Sequence, residues 1–186
     1  MYICAGEIEQ FSFAKAVGIG LVDVAINLTK LCLEHKPQEI IFVGTAGSYG
    51  DKKIFDIIQT SSATHIENSF FTNQSYTPID NNISLKSLDV SHETIVNSSD
   101  YITTDITVAK EYLKRGIDIE NMEFYSVLKV AKSFGIKAKG IFVVTNYCDK
   151  DAHKEFLANR IKAMQMIENI FYTNEYVKPL VLTMGI

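Results

Sequence analysis

Glu39-Ile40-Ile41-Phe42-Val43-Gly44-Thr45-Ala46-Gly47-Ser48 is the stretch on which the fold turns. Ile40 to Val43 is an unbroken apolar run, too short for a helix, as expected of a strand buried on both faces. It passes straight into Gly44-Thr45-Ala46-Gly47, read as a loop where missing side chains let the backbone come close to a ligand. Upstream, Leu21, Val24, Ala25, Leu28, Leu31 and Cys32 recur at helical spacing, and Pro37 closes the pattern. Gly18-Ile19-Gly20 opens this helix. The start of the chain reads as two short extended segments, Tyr2–Ala5 and Phe11–Val17, around a polar turn.

Downstream, Ile54–Ile66 reads as a second long strand and Glu67–Leu88 as a polar, poorly ordered stretch. His92–Val96 is a further strand, ending in Asn97-Ser98-Ser99-Asp100. Thr104-Asp105 caps a helix to about Arg115, with Gly116 as its stop. Ile117–Met122 is a short strand, and Glu123–Phe134 a helix with Val127, Val130, Ala131 and Phe134 on one face. Ala138–Thr145 is a strand turning at Asn146-Tyr147-Cys148-Asp149. A last helix spans about Ala152–Tyr172, with Phe156, Ile161, Met164 and Ile167 inward. No internal repeat is present.

This alternation predicts an α/β fold: a mostly parallel or mixed central sheet flanked by helices on both faces, in three layers. The 186 residues fit a single domain, 1–186, with 174–186 as a C-terminal tail. Four polar clusters each follow an apolar strand: Gly44–Ser48, Asn97–Asp100, Asn121–Glu123 and Thr145–Tyr147. In open α/β sheets ligands bind beyond the carboxyl ends of strands, so these clusters are expected to meet in one pocket.

Composition narrows the function. Eighteen basic against 22 acidic residues give a formal charge of −4, which is not the footprint of a nucleic-acid or anionic-membrane binder. Arg115 and Arg160 are the only arginines, so the preferred bidentate phosphate clamp is scarce. Cys4, Cys32 and Cys148 are odd in number and widely spaced, as in a reducing cytoplasm, and the four histidines lack zinc-ligand spacing. No leader and no membrane-length apolar run is seen, so a cytoplasmic location is expected. Gly18-x-Gly20 lacks a third glycine, and no Gly-Lys-Ser/Thr follows, so neither a dinucleotide fingerprint nor a P-loop is present. Glu123 at a helix start would compensate the helix dipole, and Asn146 would suit a turn, each without any ligand.

Together these residues resemble the nucleoside phosphorylase and methylthioadenosine/adenosylhomocysteine nucleosidase superfamily. The likeness is carried by Val17-Gly18-Ile19-Gly20 plus helix, then Pro37–Val43, Gly44-Thr45-Ala46-Gly47, Ser98–Ile102, Asn121-Met122-Glu123 and Val144-Thr145-Asn146. It spans about residues 17 to 172, in order.

The resemblance implies cleavage of the N-glycosidic bond of a purine-type nucleoside, in nucleoside salvage. Asn146 and Glu123 would be catalytic, Glu123 gripping the ribose hydroxyls and Asn146 the leaving base. Gly44, Thr45, Ala46, Gly47, Tyr101, Ile102, Asn121 and Met122 would complete the substrate site, with Tyr101 stacked on the base. Gly20 and Thr45 would hold any phosphate or other anion. No metal or organic cofactor is implied, and inorganic phosphate enters only if cleavage is phosphorolytic. The implied partners are a small-molecule nucleoside and further copies of the chain, as a dimer or higher homo-oligomer.

Departures from the family pattern qualify this expectation. The chain is shorter than usual members, and the family's first strand is expected to be missing or merged into an opening hairpin. That strand normally leads to a glutamate assisting catalysis, for which Glu7 and Glu9 are both candidates. Phe42 stands where bacterial hexameric phosphorylases carry an arginine, and neither Arg115 nor Arg160 is placed to reach Gly44–Gly47. The lean is therefore to hydrolysis. Phe124-Tyr125 replace the small residues that usually follow the glutamate. The alternative reading is a catalytically degenerate member that binds a nucleoside or acts as an assembly subunit.

The carboxamide of Asn146 sets the expected base. Its NH₂ donates to a 6-keto oxygen, whereas a 6-amino group would meet it donor to donor. A 6-oxopurine is favoured.

Overall fold

The computed structural model describes residues 1–85 and 94–173. Its strands are β1 (Tyr2–Cys4), β2 (Lys15–Ala16), β3 (Glu39–Ser48), β4 (Ile57–Thr60), β5 (Ser62–Thr64), β6 (Asn82–Ser84), β7 (Ile95–Asn97), β8 (Ile119–Glu120) and β9 (Lys137–Tyr147). Its α-helices are α1 (Gly20–His35), α2 (Ile106–Leu113), α3 (Phe124–Ser133) and α4 (Ala152–Thr173), with a 3₁₀ turn at Asn68–Thr72. All nine strands join one mixed sheet, as expected.

Strands β3 and β9 form its spine, paired in parallel from Glu39↔Lys137 to Ser48↔Tyr147. On its other edge β3 takes β1 in parallel near its start and β8 antiparallel near its end. β9 takes β4 antiparallel. The chain then moves from β4 into β5, which pairs with β7, which pairs with β8. The ladder thus returns to β3 and curls round the spine.

Alternation along β3 sorts the core into two layers, because successive side chains point to opposite faces. Ile40, Phe42 and Ala46 pack with Val24 and Leu28 of α1 and with Val127, Leu128 and Ala131 of α3. Ile41 and Val43 pack on the other face with Ala163, Ile167 and Ile170 of α4. A third cluster joins Tyr49, Ala109, Tyr112 and Cys148 around α2.

Several expectations change. The opening is not a hairpin: β1 and β2 run parallel, and β1 is a full member of the sheet, with Tyr2↔Ile41 and Ile3↔Phe42 in register. Gly44–Ser48 is not a loop and Asn146-Tyr147 not a turn: they are the last residues of the long strands β3 and β9, which stay paired as far as Ser48↔Tyr147. A bulge between Ala46 and Gly47 interrupts that ladder.

The Ile54–Ile66 strand breaks at Ser61, where the chain exchanges β9 for β7 as its partner. Asp105 does cap α2, its carboxylate accepting from the Thr107 N–H at 2.7 Å. Ile161 is not inward: it is exposed, and Ala163, Ile167 and Ile170 form the buried face of α4. Phe134 sits at the C-cap of α3, partly exposed. His92, Glu93 and the tail from Asn174 lie outside the described residues.

Candidate functional site

A cleft of about 250 Å³ opens where β3, β8 and β9 end. Thr45, Ala46 and Gly47 line it from β3, Asn146 from β9, and Asn121, Met122 and Glu123 from the turn between β8 and α3. Tyr101 and Ile102 line it too. The predicted residues therefore meet, with Thr45 and Asn121 in contact across 76 positions of chain. The reason differs in part from the one expected. β8 runs antiparallel to β3, so the chain after Glu120 returns alongside Thr45, and the Asn121 amide donates to the Thr45 carbonyl at 3.1 Å. The Asn121 Oδ1 accepts from the Glu123 and Phe124 amides at 3.0 and 3.1 Å, which sets the first turn of α3.

Two expected members stand behind the wall. Gly44 does not line the cleft: a Cβ there would lie 3.0 Å from the Phe42 ring and 3.4 Å from Glu9 Oε2, so its bareness makes room for Glu9. Gly20 has a positive φ of 81°, and its N–H is directed at Glu123 Oε1, 3.0 Å away. A Cβ on it would fall 2.7 Å from Asp100, whose carboxylate accepts from the Leu21 N–H at 2.8 Å.

Glu9 is the acidic residue that the opening segment supplies. It is buried, lines the cleft, and accepts from both the N–H (3.3 Å) and the hydroxyl of Thr45. Glu7 is exposed in a tight turn with φ 52°. The two donors expected to hold an anion, Gly20 and Thr45, are thus directed at carboxylates of this chain.

Burial pushes the Glu9 carboxyl above the usual range, against the opposing pull of the Thr45 donors and of Arg160. Burial likewise raises Glu123 from 4.5 to about 7, with the Gly20 N–H opposing and the nearby Glu9 charge reinforcing the shift. Of the arginines, Arg115 is committed to Glu111, at 2.9 Å, and Arg160 reaches the Ile8 carbonyl at 3.5 Å. Phe42, expected to stand where bacterial hexameric phosphorylases carry an arginine, is fully buried in the core.

On β9, Asn146 Oδ1 accepts from the Thr145 hydroxyl (2.9 Å) and Nδ2 donates to the Tyr147 carbonyl (3.1 Å). One N–H and one carbonyl lone pair of the carboxamide remain available. Tyr101 is 82% exposed and Ile102 51%, so both form the rim rather than the floor.

Sequence reasoning passed over Ile8, Glu120, His153 and Phe156, which also line the cleft. Glu120 had a signal: a carboxylate ending an apolar strand immediately before Asn121. The other three had none. Among the described residues, no group of three or more His, Cys, Asp or Glu could hold a metal ion, and no helix is long and apolar enough to cross a membrane.

The comparisons agree with this geometry. No individually curated protein matches the sequence. Among solved structures, the fold resembles Helicobacter pylori 5′-methylthioadenosine/S-adenosylhomocysteine nucleosidase, with a TM-score of 0.77 at 16% identity, covering 92% of this chain and 95% of that one. It also resembles H. pylori futalosine hydrolase (0.76, 18%, covering 92% and 94%) and the Streptococcus pneumoniae MTA/SAH nucleosidase (0.72, 14%, covering 91% and 95%). At these identities the likeness is one of fold. The family description "Phosphorylase superfamily" matches residues 3–176, nearly the whole chain, and to that superfamily this protein belongs.

Proposed function

We propose that the protein hydrolyses the N-glycosidic bond of a purine-type nucleoside, with a 6-oxopurine favoured as the base. The observation that carries this reading is the pair of buried carboxylates, Glu9 and Glu123, facing one cleft that ends in Asn146.

Cleavage of a purine–ribose bond builds an oxocarbenium-like sugar while electron density moves onto the departing base. Glu123, at the inner wall, accepts from the ribose hydroxyls and holds the sugar. Glu9, whose carboxyl burial raises above the usual carboxylate range, takes a proton from an attacking water. Asn146 stabilises the base as it gains charge, through the amide hydrogen left free by Tyr147. Tyr101, on the rim, supplies an aromatic face. The scheme calls on no metal or organic cofactor.

Hydrolysis is favoured over phosphorolysis by charge. A phosphate at Thr45 would compete for donors already directed at Glu9, and would meet that carboxylate at contact distance. The reading of a degenerate member leaned on a missing first strand and a missing arginine; β1 is present and leads to Glu9, and the hydrolytic reading does not call on the arginine.

Self-association belongs to the proposal. Val22, Ile26 and Leu33 expose an apolar stripe on α1, and the rim residues Tyr101 and Ile102 lie open beside the cleft. A second subunit covering the rim would close the cleft to bulk solvent while leaving room for the one attacking water.

Incubation with inosine, adenosine, methylthioadenosine and futalosine, with and without phosphate, tests the activity. Free base and free ribose moiety released at equal rates with and without phosphate are expected. Base release that requires phosphate and yields a ribose 1-phosphate would replace hydrolysis by phosphorolysis, and no release from any of the four would end the enzymatic reading.

A further inference from the structure

Glu120, the last residue of β8, is a third acidic group on the cleft, and the chemistry above makes no use of it. Its two carboxylate oxygens are held from different sides. Oε1 accepts from the Thr103 N–H at 3.0 Å, and Oε2 accepts from the Tyr49 hydroxyl at 3.0 Å.

Tyr49, immediately after β3, is a fixed pillar. Its ring stacks on Tyr112, with centroids 4.3 Å apart and planes 11° from parallel. Tyr112 is anchored in turn by its hydroxyl, which donates to the Ile66 carbonyl at 2.7 Å. Burial of Glu120 therefore does not leave it orphaned: each oxygen has a donor fixed by the fold.

The Thr103 side of the carboxylate is different. The segment from Ser98 to Thr103 follows β7 and carries Tyr101 and Ile102 to the rim. Its start is pinned by the Ser98 N–H on the Thr64 carbonyl (2.8 Å) and by the Tyr125 N–H on the Ser98 hydroxyl (3.0 Å). Its middle is pinned by Asp100 on Leu21. The hydrogen bond from the Thr103 N–H to Glu120 Oε1 fixes its far end.

We infer that Glu120 is a positioning residue that clamps the Ser98–Thr103 segment to the Tyr49 pillar, so that Tyr101 and Ile102 stand over the base end of the cleft. The inference rests on the nucleosidase reading only for what fills the cleft. A carboxylate suits the task because it accepts from both sides at once. Glutamine keeps an acceptor for Thr103, and the Tyr49 hydroxyl can turn to accept from its NH₂. Alanine leaves two buried donors without partners. Both Glu120 oxygens are engaged by Thr103 and Tyr49, so its loss is expected to weaken the hold on the base rather than the chemical step.

Amide hydrogen exchange at Thr103, calorimetric binding of free hypoxanthine, and steady-state kinetics with inosine test this together. In E120A the Thr103 amide is expected to exchange at least about tenfold faster. Hypoxanthine affinity should fall, and KM for inosine rise, by about tenfold, while kcat changes by less than about threefold. E120Q should restore all three towards wild type. Y49F keeps the ring stack but removes the pillar's donor, and should raise Thr103 exchange about threefold or more even if E120A does not fold. Unchanged Thr103 exchange in E120A or Y49F, a loss confined to kcat, or a glutamine variant as impaired as alanine would overturn the clamp. A wild-type chain that releases no base would end the nucleosidase reading alone, since Thr103 exchange in the variants still decides the clamp.

Discussion

The backbone nitrogen of Gly20 lies 3.0 Å from Oε1 of Glu123, although 103 positions separate them in the chain. The first N–H of α1 is thereby spent on a carboxylate of the same cleft, and the helix dipole acts on Glu123 instead of on an external anion. That single donor does not offset burial, so Glu123 remains raised to about 7.

The raised carboxyl couples stability to pH. The fold favours protonated Glu123, so its contribution is fully present below about pH 4.5 and is lost as pH rises through about 7. At ~1.4 kcal/mol per unit the loss is about 3 kcal/mol across that window. E123Q keeps an acceptor for Gly20 but cannot ionise. Its thermal midpoint should fall less than that of wild type between pH 5 and 8, measured by calorimetry, and parallel declines in the two proteins would remove Glu123 from this role.

Glu9 is the proposed base. E9Q preserves the acceptor towards Thr45 and should leave the melting temperature within a few degrees of wild type. Loss of a general base costs about 100-fold or more in rate. Chromatographic assay of base release at saturating nucleoside checks this, and a rate within threefold of wild type would leave Glu9 a structural carboxylate.

Base preference should follow Asn146. An unpaired donor in the closed site costs roughly 1–3 kcal/mol, so hypoxanthine-bearing nucleosides should exceed adenosine in kcat/KM by about one to two orders of magnitude. N146D offers a carboxyl that can share a proton with N7 and should narrow the gap towards adenosine. Equal release of adenine and hypoxanthine by wild type, or an N146A variant with the same preference, would leave Asn146 as a strand-end residue bonded only to Thr145 and Tyr147.

Light scattering at micromolar concentration should report a dimer or a larger closed assembly. The apolar stripe of α1, with Val22 at 65% and Leu33 at 62% exposed, is what such an assembly would cover. A monomer across the micromolar range would count against a site completed by a second subunit.

Much of this was legible in the sequence, and the reason is local. The uninterrupted Ile40–Val43 run could only be a strand buried on both faces, and the spacing of Val24, Leu28 and Cys32 could only be a helix face turned inward. Glu123 and Asn146 could be singled out because each is a polar group ending a stretch of core.

Tertiary structure alone decided the rest. Tyr2–Cys4 is three residues long, and nothing in so short a run says whether its neighbour is parallel or antiparallel. Register with Ile41 and Phe42 decides that, and the chain that follows buries Glu9 against Thr45 and leaves Glu7 exposed. Gly44 to Ser48 reads as a loop until β9 is laid beside it, because backbone hydrogen bonds to a strand about 100 positions away leave no mark on local sequence. Glu120 carries the same lesson: its partners Tyr49 and Thr103 come from separate segments, and only the closing of the sheet around the cleft brings their donors to one carboxylate.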